Sequence, residues 1–220
     1  IYVDVRGLGE LGGAWLGSAR EPRMKCAIYQ AEAARRLLEH SVDCLIVIGG
    51  NGSQQGSLAL DRLGAHVIGI ASTIDNDLAE FETTLGVDTA INAAARAIDD
   101  LKRTATSHRR AFVVEVMGRA SGYLATHAAL AAGADLALVP EAPLEAWDVL
   151  ATVRRAFATG ERHAIIVVAE GYPVPSIEVM QRLKRNAIDA RQVVLGHLQR
   201  GGEPTAADRI LATHMATEAV

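Results

Sequence analysis

Six apolar runs separated by amphipathic segments constrain this chain more than any other feature. They are DCLIVIGG (43–50), HVIGIAS (66–72), AFVVEVMG (111–118), ADLALVPE (134–141), HAIIVVAEG (163–171) and QVVLGHLQ (192–199). Several are continuously apolar rather than alternating, the pattern of parallel strands covered on both faces. The segments between them, such as 25–41 and 87–106, are long enough for crossover helices. Strands alternating with helices predict a doubly wound α/β fold with mainly parallel sheets. In such folds a ligand lies beyond the carboxyl ends of the strands. GGNGS, STIDND, MGRASG, EGY and GHLQRGG each follow a run, so these turns are the candidate site.

Composition narrows the function classes. A chain of 220 residues can bury one sizeable core or two small lobes. A net charge of −4 without a basic stripe argues against a nucleic-acid partner. Two cysteines, Cys26 and Cys44, make no disulfide framework, so a reducing, cytoplasmic compartment is expected. No run reaches membrane-spanning length without a charge or turn, and no membrane association is expected. The opening IYVDVRGLGE has neither the layout of a signal peptide nor an initiator methionine, and a fragment is expected.

The turns have competing readings. In IGGNGSQQG (48–56), glycine would let backbone amides approach a phosphate at a helix start, or simply make a tight strand–helix turn. No G-K-[ST] follows, so it is not a P-loop. In STIDND, Ser72 and Asp75 have capping-box spacing; alternatively, Asp75 and Asp77 handle a proton and a metal. Arg119 could reach phosphate oxygens or be a solvated arginine. His108, His127, His163 and His197 share no metal-ligand spacing. Trp15, Trp147 and Cys44 read as packing residues. Carboxylates, arginines and a glycine-rich turn on one sheet edge point to phosphoryl chemistry, which needs charge-neutralising groups, a metal and a base.

Six stretches in order carry a more specific signal: GGAWLGSAR, IVIGGNGSQQG, STIDNDL, TTLGVDTAINAAARAIDDLKRTATSHRR, VVEVMGRASGYLA and VLGHLQRGGEPTAADRILA. Together they resemble the 6-phosphofructokinase family over nearly the whole chain. The resemblance implies two doubly wound α/β lobes with a cleft between them. Residues 1–86 and 199–220 would form the nucleotide lobe, and 87–198 the sugar-phosphate lobe. The implied reaction moves the γ-phosphoryl of ATP, with Mg²⁺, to the 1-hydroxyl of fructose 6-phosphate.

By motif, Asp75 resembles the base, expected at an ordinary pKa of roughly 4. Asp77 resembles the second acid near sugar and metal, Thr73 a hydroxyl touching the transferring phosphoryl, and Arg119 the cation over it. Met117, Gly118, Glu170, His197 and Arg200 match sugar-phosphate positions. Arg110 and Arg191 match arginines that reach the 6-phosphate from a neighbouring subunit, which implies a homodimer or homotetramer with shared sites. Arg20, Gly50, Gly52, Ser53 and Gly56 match the nucleotide side, and Asn51 with Asp77 the metal.

The chain also departs from the family pattern. The N-terminal strand and its phosphate loop have no counterpart, and Asn51 replaces an aspartate associated with the metal. The pyrophosphate-using branch carries Asp in place of Gly52 and Lys in place of Ser72; neither is present, which favours ATP. A pyrophosphate-dependent enzyme and a catalytically silent, sugar-phosphate-binding regulatory subunit are the alternatives.

Overall fold

A computed structural model describes residues 7–79 and 81–220, except for the side chains of 146 and 147. The packing expected of Trp147 therefore lies outside the described residues. The chain divides into two compact units: Ile1–Thr73, Leu78–Gly86 and Pro204–Val220 in one, Ile74–Asp77 and Val87–Glu203 in the other.

The second unit shows why continuous apolar runs mark doubly covered strands. Strands β3 (Ala111–Val116), β4 (Leu136–Leu138), β5 (Ala164–Ala169) and β6 (Ala190–Val194) form one parallel sheet in the order β4-β5-β3-β6. Alternate residues face opposite cores. Phe112, Val114 and Val116 of β3 and Ile165 and Val167 of β5 pack with one cluster. That cluster holds Ala90, Ala94 and Ile98 of helix α3 (Val87–His108) and Leu124, Ala125 and Ala128 of α4 (Tyr123–Ala132). Val113, Ile166 and Val168 pack on the other face with Val153 of α5 (Ala146–Ala158) and Leu183 of α6 (Ser176–Arg185). The alanines along α3 and α4 let helix backbones lie close to the sheet. All six residues of β5 are buried, as expected of a strand sealed on both faces.

The first unit holds β1 (Leu45–Gly49) paired in parallel with β2 (Val67–Ala71), with helices α1 (Ala27–Glu39), α2 (Asn51–Asp61) and α7 (Ala206–Glu218). Here β1 is covered on one side only: Ile46 and Ile48 are 41% and 58% exposed.

Several expectations are corrected. The run 192–199 does not stay extended: Leu195 is αR, Gly196 takes φ +50, and the chain turns into a 3-10 segment, Gly196–Arg200. The expected lobe boundaries are a separate matter: by contacts, residues 199–203 pack with the second unit and the last stretch of the first begins at Pro204. No helix begins in 72–77, so Ser72 and Asp75 do not cap one. Trp15 is 66% exposed and Cys44 is exposed, so neither packs in a core. No described helix is long and apolar enough to cross a membrane.

Candidate active site

In the second unit, the turns at the carboxyl end of the sheet carry most of the expected sugar-phosphate and catalytic residues. The turn after β3 is held in an unusual conformation. Gly118 has φ +136, where a Cβ would approach Ser121 O within 2.6 Å, and Arg119 has φ +51. A left-handed arginine costs about 1–3 kcal/mol and persists only when its surroundings enforce it. Glu170, directly after β5, does so: its Oε1 accepts from the N–H of Gly118 (3.2 Å) and of Arg119 (2.7 Å).

That turn aims the guanidinium at two carboxylates. Arg119 Nε lies 3.0 Å from Asp75 Oδ2, and Nη1 lies 3.8 Å from Asp77 Oδ2. Between the two acids Asn76 is also left-handed, φ +45. Asp75 is 2% exposed, and burial pushes its carboxyl above the ordinary aspartate value. Arg119 opposes that shift, Asp77 adds to it, and weaker contributions come from Arg200 (downward) and Glu170 (upward). The expectation of an ordinary pKa for Asp75 is thus corrected, and the cause is desolvation. A raised pKa makes a stronger base at neutral pH.

His197 and Arg200 sit on the exposed face of the 3-10 turn after β6. Met117 and Gly118 are buried at the end of β3. Asp75, Asp77, Met117, Gly118, Arg119, Glu170 and Arg200 therefore form one neighbourhood.

Arg110 and Arg191 do not join it. They stand at the amino end of the same sheet, before β3 and at the start of β6. The six residues of β3 separate the two ends by about 20 Å. Both arginines pair with one carboxylate, Asp189: Arg110 Nε to Oδ2 at 3.2 Å and Arg191 Nη1 to Oδ1 at 2.7 Å. Asp189, just before β6, was not singled out from the sequence.

In the first unit, Asn51, Gly52 and Ser53 form the first turn of α2, whose N-cap Gly50 has no side-chain capping bond. First-turn N–H groups and the helix dipole suit an anion. Gly50 also permits close approach, since a Cβ there would lie 3.1 Å from Thr73 Cβ. Thr73 itself is tethered through its carbonyl, which accepts from Thr84 Oγ1 at 2.7 Å. Gly56 lies one turn further into α2, and Arg20 is exposed in an irregular stretch.

Among the described residues no three His, Cys, Asp or Glu side chains converge as a metal cage. A hard cation that binds alongside phosphates is held by one or two carboxylates, water and phosphate oxygens. Asp77 Oδ1 is buried without a hydrogen-bond partner, which suits such a ligand. Asn51 Oδ1 accepts from Gln55 Nε2 at 2.9 Å on the exposed side of α2.

Parallel strands with crossover helices define an α/β protein, with a carboxylate–arginine cluster in its second unit and a glycine-started helix in its first. The comparisons with known proteins place it further. The chain belongs to the phosphofructokinase family, whose sequence model, described as "Phosphofructokinase", matches residues 2–220. It is 44% identical over 209 residues to an ATP-dependent 6-phosphofructokinase of Lactobacillus gasseri, covering 95% of this chain and 66% of that protein. The chain thus spans just under two thirds of the length of such relatives. A phosphofructokinase structure from Saccharomyces cerevisiae superposes with a TM-score of 0.86 at 36% identity, covering 99% of this chain and 33% of that one. One from Pichia pastoris in the T-state gives 0.92 at 33%, covering 98% and 26%.

Proposed function

We propose that the protein transfers the γ-phosphoryl of ATP to the 1-hydroxyl of fructose 6-phosphate, giving fructose 1,6-bisphosphate in glycolysis in the cytoplasm. The observation that carries this reading is Arg119 spanning Asp75 and Asp77 at the strand ends. Asp75, desolvated and raised in pKa, would accept the hydroxyl proton. Arg119 would leave its ground-state carboxylates to neutralise charge on the phosphoryl in flight. Thr73 would touch the same group. Met117, Gly118, Glu170, His197 and Arg200 would hold the sugar phosphate. Arg20, Gly50, Gly52, Ser53 and Gly56 would hold the nucleotide. Asp77 and Asn51 would hold Mg²⁺, which when bound would supply charge neutralisation for phosphoryl transfer.

The donor is read as ATP because Gly52 and Ser72 stand where the pyrophosphate branch has Asp and Lys, and the relative from Lactobacillus gasseri named above is ATP-dependent. A coupled assay of the protein at its full natural length, with ATP and then pyrophosphate, tests this. Turnover only with pyrophosphate overturns the donor, and turnover with neither favours the silent subunit.

Asn51 bears on that last alternative. Relative to Asp it keeps an oxygen but loses a charge near the metal. At about 5 Å and an effective dielectric of about 20, that charge is worth roughly 6–7 kcal/mol before screening. Most of this is offset, leaving about 1–3 kcal/mol, or about 10- to 100-fold. Asn51→Asp is expected to lower the Mg²⁺ concentration for half-maximal activity by that factor. Inactivity of both proteins at every Mg²⁺ concentration would favour the silent subunit instead.

The position of Arg110 and Arg191 at the amino end of the sheet supports a shared-site homodimer or homotetramer. Arginines about 20 Å from their own chain's Arg119 turn have reason to serve another subunit's 6-phosphate. Arg191→Ala is expected to raise KM for fructose 6-phosphate about 10- to 100-fold, with KM for ATP nearly unchanged. Equal losses for both substrates, or a fully active monomer, would refute sharing.

A further inference from the structure

Gln199 is 1% exposed and was given no role by the resemblance. Its place follows from how β6 ends. The last rung between the two strand ends is Leu195 N–H to Glu115 O at 3.0 Å. At Leu195, which is αR, the chain leaves the ladder for its 3-10 turn, and the N–H of Met117 loses its sheet partner, because the Leu195 carbonyl that would continue the ladder accepts from Leu198 N–H instead. Gln199 supplies the missing acceptor and ties it to the turn. Its Oε1 accepts from Met117 N–H at 3.4 Å, and its Nε2 donates to Gly196 O at 3.0 Å. Only this orientation of the amide serves a donor on one side and an acceptor on the other.

The two groups it joins begin the two turns of the candidate site. Met117 leads into Gly118 and left-handed Arg119, which pairs with Asp75. Gly196 opens the turn that carries His197 and Arg200, and Arg200 acts electrostatically on the same Asp75. A buried amide with both ends engaged fixes distance and direction in a way an apolar side chain of equal volume cannot.

We propose that Gln199 is a positioning residue that locks the 196–200 turn to the 117–119 turn, so that Arg200 holds the sugar phosphate where Arg119 meets the transferring phosphoryl. It touches no substrate; it acts through the backbone of its two neighbours. The proposal rests on the phosphofructokinase reading for its kinetic consequences, but not for its structural one.

The test uses the full-length protein with Gln199→Met, Gln199→Glu and a stability control, Val153→Ala, in the opposite core. Gln199→Met keeps the volume and loses both bonds. Gln199→Glu keeps the length of the side chain and an oxygen that accepts from Met117 N–H. The expected result for Gln199→Met is a fall in kcat/KM for fructose 6-phosphate of about 100-fold, since a misplacement of about 1 Å has that effect. KM for ATP should stay within about 2-fold of the parent, and Gln199→Glu should recover most of the loss.

Amide exchange at Met117 and Gly118, which needs no catalysis, should quicken about 10-fold or more in Gln199→Met. Should that variant not fold, Gln199→Ser, too short to reach Met117, is expected to show the same exchange and the same split. Unchanged exchange, or losses in kcat and both KM values that match Val153→Ala at equal Tm, would overturn the positioning role. An inactive unsubstituted protein that still shows the exchange effect would instead count against the phosphofructokinase reading and leave the clamp standing.

Discussion

Asp75→Asn is expected to lower kcat about 10²- to 10⁴-fold while leaving Tm unchanged or raised, with little effect on KM for ATP. The two outcomes have one cause. Asp75 is 2% exposed, and burial lifts its pKa above the ordinary aspartate range. A carboxyl whose folded pKa is raised binds its proton more readily in the folded state than in the unfolded one. Its contribution to stability is therefore full below the unfolded value of roughly 4 and is lost as pH rises through the folded value. At neutral pH the ionised, desolvated carboxylate is a net cost of folding that asparagine removes. The same lift brings the base closer to working pH. The acid limb of kcat for the unsubstituted protein should accordingly fall above pH 4. Thermal unfolding and pH–rate profiles of the pair check this. A variant with near-normal kcat would remove Asp75 from the chemistry, and one that is inactive but strongly destabilised would show a structural role.

Arg119→Ala is expected to be at least as damaging, about 10³- to 10⁵-fold in kcat, the range for an arginine that neutralises charge on a transferring phosphoryl. Arg119 is also the main influence that holds the Asp75 pKa down against burial. Its removal should therefore move the acid limb to higher pH, in the direction of further-raised Asp75. Arg119→Lys retains the charge but not the fork that spans 3.0 Å to Asp75 and 3.8 Å to Asp77. It should keep the acid limb near its original position and still lose most of kcat. An Arg119→Ala protein with an unmoved acid limb would show that the pair is not electrostatically coupled. A double substitution with Asp75→Asn should cost far less than the sum of the two, as expected for groups acting as a unit.

How far these residues were legible differs from one to the next. The parallel α/β layering was legible because a strand buried on both faces must be apolar at every position. The runs at 111–116 and 164–169 answer to two cores at once. The turns that carry candidate chemistry were legible for a related reason: in such a fold, chemistry-bearing residues collect where strands end. The Asp75–Asp77–Arg119 cluster could be anticipated as a set of residues from motif alone.

Three other things could not. The raised pKa of Asp75 depends on what buries it, and burial is a property of packing rather than of the STIDND string. The left-handed Arg119 depends on Glu170, 51 residues away, lending its carboxylate to the Arg119 backbone. The end of β6 was misjudged because 192–199 is continuously suitable for a strand. The αR conformation of Leu195, the φ +50 at Gly196 and an amide at Gln199 that takes over the Met117 donor stop it there.

What the sequence by itself determined was the order of strands and helices, the family, and which residue types stand at the strand ends. What only the tertiary structure decided was which carboxylate is desolvated, which carbonyls and amides are clamped together, and that Arg110 and Arg191 sit at the opposite end of the sheet from Arg119. The physical reason is that apolar periodicity is a local property of the chain. Desolvation and hydrogen-bond satisfaction, in contrast, are settled only when segments far apart in sequence come to lie side by side.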